Sequence, residues 1–419
     1  MLVHWIWFAH RPGLNDRDKM ALLQHFRDPE DIYFADDGAF GAIGLSEEAK
    51  TALREKNLTS AEEILEACDR EKLHILTCQD AGYPARLKNI ADPPVVLYYK
   101  GRLPDFDGSP VIGVVGTRKA SAYGLTTAKR MGYQIARCGG IVVSGMAYGI
   151  DGMAMSGALT AGAPAVGVLG CGADIVYPVS NRALFRDTEE YGCILSEFAP
   201  GTPPAKWTFP KRNRIISGLS CGVLVVEAPE KSGALITARL AAEQGRDVFA
   251  VPGNIDQPSF VGSNRLLRDG AIMVSSGWDV LSEYEALFPD KIRKEDAPAH
   301  QTAYPDEVRK AAEAEKPLLK VAQKLRLPRK NENLKKDLAH QGIDKTPCAP
   351  YSDVGSVRPK LSPEEQTIVD ALSGGQRLVD DVIAETGLST GKLLSSLTML
   401  ELKGIIKRLP GKRIVLSGK

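Results

Sequence analysis

Between residues 111 and 275 short apolar runs alternate with stretches of helical periodicity. Val111-Ile112-Gly113-Val114-Val115-Gly116 is the first run and Ile141-Val142-Val143-Ser144-Gly145 the second. Residues 165–170, 193–197, 221–227, 247–252 and 272–275 continue the series, with helix expected over 121–138 and 149–161. These runs are apolar at successive positions and not only at alternate ones. Such strands are buried on both faces, which is the signature of a parallel sheet covered by helices. The pattern predicts an α/β domain over residues 105–288, a doubly wound parallel sheet of extended Rossmann-like type.

The flanks read differently. Leu22, Leu23 and Phe26 have helical spacing, and Thr59-Ser60-Ala61-Glu62-Glu63 has the form of a capping box ahead of Ile64 and Leu65. Pro84 and Asp92-Pro93-Pro94 then break the helical pattern before an apolar strand expected over 95–99. Residues 1–104 are therefore expected to form a helical N-terminal domain plus a connector. Residues 289–360 are rich in Lys, Glu, Asp and Pro and weakly periodic, as in a solvated charged linker. Residues 361–419 predict a winged helix. Ser362-Pro363-Glu364-Glu365 opens its first helix, a helix-turn-helix spans 379–403, and Pro410-Gly411 joins two wing strands. That motif suggests DNA reading. Its second helix offers only Lys392 and Lys403, so the face suits protein contact equally well.

Composition narrows the function. The 419 residues are 43% hydrophobic and 25% charged, as in a globular protein of two or three domains. The net charge is only +1, so any grip on nucleic acid must be local. Seven cysteines form no CxxC pair and no metal spacing, so free buried thiols in a cytoplasmic protein are expected, with no metal and no cofactor. The apolar start lacks a cationic leader, and no apolar run approaches the ~20 residues of a membrane span, so no membrane association is expected.

One stretch departs from this neutrality. Lys206-Trp207-Thr208-Phe209-Pro210-Lys211-Arg212-Asn213-Arg214 holds four cations and two aromatics in nine residues. Cations neutralise phosphates and aromatic faces stack bases. A solvated basic loop, with Trp207 in the core, is the plainer reading of the same residues.

In open α/β sheets ligands bind beyond the carboxyl ends of the strands. There the chain carries Gly116-Thr117-Arg118, Ser144 to Asp151, Gly170-Cys171-Gly172, Lys231-Ser232-Gly233 and Pro252-Gly253-Asn254. Glycines with hydroxyl residues at such turns bring main-chain N–H groups against an anion. No dinucleotide fingerprint follows the first strand, no P-loop is present, and all six histidines lie outside the α/β unit. A His-based triad cannot be assembled there. The pattern suits holding phosphates, and no enzymatic activity is expected.

Gly116-Thr117-Arg118, Ser144-Gly145-Met146-Ala147-Tyr148-Gly149-Ile150-Asp151, the run Phe209 to Ser220, Ser232 to Ala238 and Phe249-Ala250-Val251-Pro252-Gly253 together resemble the DNA-processing protein DprA (Smf) family, five motifs in that family's order. The resemblance implies a cytoplasmic single-stranded DNA-binding protein of natural transformation. It would protect incoming DNA, load a RecA-type recombinase and act as a homodimer. It also implies site residues: Arg118 and Lys206 on phosphates, Ser144 and Gly145 in the anion turn, and Phe209 beside the strand path. Lys211, Arg212, Asn213 and Arg214 would form a basic element, with Lys231 and Ser232 at the next loop. Ala234 stands where the family often has a serine. Two other readings remain: a phosphoribohydrolase resembling the LOG family, although residues 229–237 lack its PGGxGTxxE element, and a transcription regulator led by the winged helix. For a homodimer, Leu266, Leu267, Ile272 and Met273 are the expected contact residues.

Overall fold

A computed structural model describes residues 1–294 and, toward the C-terminus, residues 363–372, 375, 377–388, 393, 396–397, 400, 405–409 and 413–416. The first unit starts with five helices, α1 (Leu2–His10), α2 (Asp16–His25), α3 (Pro29–Phe34), α4 (Glu47–Arg54) and α5 (Thr59–Glu71). The capping box expected at Thr59 does not form. The helix already includes Thr59, its N-cap is Leu58, and the Thr59 N–H donates to the Asn57 carboxamide oxygen at 2.8 Å.

The connector is part of the sheet. β1 (His74–Thr77), α6 (Ala85–Lys88) and β2 (Val96–Gly101) follow the helices, and β2 pairs antiparallel with both β1 and a later strand. Then come β3 (Val111–Val115), α7 (Ala122–Arg137), β4 (Ile141–Ser144), α8 (Ile150–Thr160), β5 (Ala165–Val168), α9 (Arg182–Tyr191), β6 (Cys193–Ser196) and α10 (Thr208–Leu219). β7 (Gly222–Val225), α11 (Gly233–Glu243), β8 (Asp247–Ala250), α12 (Val261–Arg268), β9 (Ile272–Met273) and α13 (Gly277–Leu281) complete the unit. Strand order is β1-β2-β6-β5-β4-β3-β7-β8-β9, and every pair from β6 to β9 is parallel. The seven runs read from apolar continuity are the seven parallel strands. β3, β4, β5, β6 and β7 are buried at every position, which is why they show no alternation.

One hydrophobic core runs from Ile6 to Ile292 and includes the N-terminal helices, so a boundary near residue 105 falls between two strands of one sheet. Likewise the core extends past residue 288 into the expected linker: Ile292 is buried and the Arg293 N–H donates to the Cys138 carbonyl at 3.0 Å. α7 and α8 pack backbone against backbone. A side chain at Gly132 would collide with the Ala154 carbonyl, and one at Gly157 with the Lys129 carbonyl.

The second unit, taken by itself, has α14 (Pro363–Ala371), β10 (Arg377–Leu378), α15 (Val379–Thr386), β11 (Ile406–Leu409) and β12 (Arg413–Leu416). Its sheet order is β10-β12-β11, antiparallel, so the wing hairpin carries a third strand that the sequence pattern did not reveal. Ile368, Leu372, Val382, Leu393, Leu397, Leu400, Ile406 and Ile414 form a separate core. Ser362, Lys392, Lys403, Pro410-Gly411 and the linker from 295 onward lie outside the described residues.

Candidate nucleic-acid interface

The chain moves outward from β3 through β4 and β5 to β6, then crosses back to β7 on the other side of β3. β3 is thus the switch point, where an open α/β sheet leaves a crevice beyond its strand ends. The returning crossover is α10, which packs on β3, β4, β5, α6 and α11. The basic-aromatic stretch leads into this helix, which takes in all of it from Thr208 onward. Pro210 fits its first turn, where no N–H donor is required. Thr208, buried, ties that turn to the rim, donating its hydroxyl to the Gly170 carbonyl at 2.5 Å.

Burial of α10 on nearly all sides sorts its residues. Lys206 and Trp207 precede it and are exposed, with the Trp207 side chain 64% accessible, so Trp207 is not core. Phe209 is half-buried, and the exposed Arg118 places its guanidinium 4.7 Å from the Phe209 ring centre. Arg118 and Lys206 therefore both stand at the N-terminal end of α10.

The other cations of the stretch turn inward, contrary to the expected basic element of Lys211, Arg212, Asn213 and Arg214 on the strand. Arg212 is 3% exposed and donates Nη1–H to the Val168 carbonyl at 2.8 Å. Burial lowers its pKa to about 10, against the opposing pull of the Asp151 carboxylate. Arg214, also 3% exposed, faces the N-terminal helices. It pairs with Glu197 at 2.6 Å, Asp92 at 2.9 Å and Asp16 at 3.8 Å. Lys211 reaches the same cluster, 3.7 Å from both Asp16 and Glu197. Asn213 is buried and donates to the carbonyl of Gly233, the first residue of α11, at 3.4 Å. A helix wedged between a sheet and two helices leaves only its free end facing solvent, and no periodicity in the sequence reveals that depth of burial.

The expected anion turn is similarly internal. The Ser144 hydroxyl is fully buried and donates to the Val114 carbonyl at 2.5 Å, stitching β4 to β3. A side chain at Gly145 would collide with Nη1 of Arg212, so glycine there admits the guanidinium. Asp151 at the start of α8 is buried, which raises its pKa, while Arg212, Arg118 and the N–H groups of Ala147 and Gly116 act to lower it. Ser232 accepts the Ala234 N–H at 3.3 Å as N-cap of α11, beside exposed Lys231.

Two anchors escaped the sequence. Glu227 is fully buried and accepts from the Ser121 N–H at 3.1 Å and from its hydroxyl at 2.8 Å. The Glu227 carbonyl takes the Thr117 N–H at 2.8 Å, so Glu227, two residues past β7, holds both ends of the loop carrying Arg118. Tyr177 lies 5.7 Å from Phe209, ring centre to ring centre. The aromatic next to Pro178, past Gly170-Cys171-Gly172, was the available signal for it. Among the described residues no His, Cys, Asp or Glu cluster could hold a metal ion, and no helix is long and apolar enough to cross a membrane.

Known proteins match this architecture. The family model for DNA recombination-mediator protein A matches residues 74–285, and the DprA winged helix domain matches residues 356–412. The start at residue 74 coincides with β1, the first strand of the sheet. Protein Smf of Synechocystis sp. is 31% identical over 416 residues, covering 98% of this chain and 97% of that protein. The DNA processing protein DprA of Bacillus subtilis is 42% identical over 220 residues, 52% of this chain and 74% of the relative. The X-ray structure of DprA from Streptococcus pneumoniae is similar with a TM-score of 0.60 and 33% identity, covering 68% of this chain and 98% of that one. With the sheet and winged helix matched in order and a relative aligned nearly end to end, the chain belongs to the DNA recombination-mediator protein A (DprA, Smf) family of DNA-processing proteins.

Proposed function

We propose that this protein grips the backbone of single-stranded DNA at the β3 switch-point rim during natural transformation, and passes the strand to a RecA-type recombinase. The observation that carries the reading is the Arg118 guanidinium stacked on Phe209 at the open end of α10, with Lys206 exposed three residues earlier. Cation–π contact holds the guanidinium in place before any ligand arrives, so less side-chain freedom is lost on binding. Exposed Lys231, on the loop after the neighbouring strand β7, extends the positive rim. Contacts of this kind read phosphates and not base edges, so binding is sequence-tolerant and salt-sensitive.

The test is filter binding of oligo-dT across a salt titration. Arg118→Ala and Lys206→Ala each weaken binding about tenfold. Each also lowers the slope of log affinity against log salt by about 0.7, the value for one lost phosphate contact on a single strand. Affinity and slope unchanged in both variants remove this site. The handover is read separately, as recovery of recombinase ATPase activity on strand coated with a single-strand binding protein; no recovery with the wild type sinks that half of the reading.

The far edge of the sheet supports a homodimer. Ile272 and Met273 on edge strand β9 are 37% and 66% accessible, and Ile255 and Val261 nearby are exposed as well. Leu266 instead packs partly on the core, and Leu267 is half-buried. An unpaired edge with apolar side chains invites a second copy. In sedimentation, Met273→Glu shifts the protein to monomer mass; a folded variant still at dimer mass excludes this edge.

A further inference from the structure

We infer that Tyr177 supplies the base-stacking face of the rim, while Phe209 acts as the seat that positions Arg118. The inference rests on the single-strand reading above. Phe209 is crowded. The Arg118 guanidinium sits 4.7 Å from its centre, Tyr177 lies 5.7 Å away, and the backbone of Gly170 approaches so closely that a Cβ there would come within 2.9 Å of the ring. A ring enclosed in this way has little face left for a base.

Tyr177 is placed in the opposite manner. Its ring is 36% accessible and tilted 33° to Phe209, yet its loop is fastened on both sides. Asn181 donates its carboxamide N–H to the carbonyls of Met146 at 2.9 Å and Ala147 at 3.3 Å, tying the loop to the β4–α8 turn. The Gly172 N–H donates to the Thr202 carbonyl at 2.9 Å, and the Asp174 carboxylate accepts the Gly201 N–H at 3.0 Å, tying it to the segment leading into α10. Pro178 beside the tyrosine is buried. An exposed aromatic on a fixed backbone is a stacking platform that loses little entropy when a base settles on it. Its contact with Phe209 puts it next to the cation that would hold the adjoining phosphate. The ligand class is any nucleobase of a single strand, because stacking uses the π-face that all bases share.

Fluorescence anisotropy with a dT oligomer and an abasic oligomer of equal length separates base from backbone. Tyr177→Ala weakens dT binding about five- to a hundredfold, the range for one lost stacked base. It leaves abasic binding, the salt slope and the thermal unfolding midpoint unchanged, and Tyr177→Phe retains wild-type affinity. Phe209→Leu, which unseats Arg118, weakens both oligomers and lowers the salt slope. Equal loss on both oligomers with Tyr177→Ala, or no loss on either, overturns the assignment. So does a Phe209→Leu defect confined to the dT strand. Wild-type protein that binds neither oligomer sinks the single-strand reading itself, a result distinct from either of these.

Discussion

Arg214→Ala lowers folding stability by about 3–5 kcal/mol, the range for removing one partner of a buried ion pair. Yet it leaves the salt dependence of single-strand binding as it was. The guanidinium is 3% exposed and shares its charge among Glu197, Asp92 and Asp16. Without it Glu197, whose side chain is 13% accessible, keeps a desolvated negative charge offset by Lys211 at 3.7 Å and by the field of Lys19. Asp16 belongs to α2 and Asp92 precedes β2, so the variant also loosens the N-terminal helices from the sheet. A cation already neutralised by carboxylates releases no counterion from DNA, so the slope stays constant. Urea unfolding measures the first half and the salt titration the second. A fall of about 0.7 in slope with little loss of stability would show that Arg214 meets phosphate directly.

Arg212→Ala costs about 2–5 kcal/mol, because it empties a buried site and takes away the main counter-charge of a buried carboxyl. Its guanidinium does the most to offset the burial of the Asp151 carboxyl and donates to the Val168 carbonyl under Gly145. Alanine leaves a void beneath the β4–α8 turn and an Asp151 carboxyl with less to hold it ionised. Asp151 then binds a proton at higher pH than in the wild type. Single-strand affinity also falls, because Arg118 shares the field of Asp151 and the loops it stands among lose their support. The separating measurement is again the slope: weaker binding at unchanged slope marks support from below, whereas a slope lowered by about 0.7 marks direct phosphate contact. Unfolding midpoints equal to wild type overturn the structural role.

These expectations differ from those at Arg118 and Lys206 although three of the four residues belong to one short stretch. Residue type alone made Lys206, Lys211, Arg212 and Arg214 equivalent cations. Their separation into solvent-facing and internal groups follows from where α10 lies. It crosses back over the sheet with α11 and α6 against it, and only its first turn reaches the rim.

The seven parallel strands and the first two connecting helices were legible in the chain, because strands buried on both faces must be apolar at nearly every position. The strand ends that carry glycine turns were legible for the same reason, since the rim follows once the strands are known. The strand over 95–99 was legible as well, but β1 and the antiparallel joining of β2 to the sheet were not. Short pairs such as His74↔Tyr99 are specified by a neighbour far along the chain, here β6 through Tyr98↔Ser196. Nor was the depth of Ser144, Arg212 and Arg214, each of which bonds to partners brought close only by folding: Val114 for the first, Val168 for the second, Glu197 and Asp92 for the third. Local sequence determined which segments are strands, which are helices and where an anion-friendly edge would form, because those depend on near neighbours and on apolar continuity. The tertiary structure alone decided which charges on that edge meet water and which are held inside, because burial is a property of everything packed around a residue.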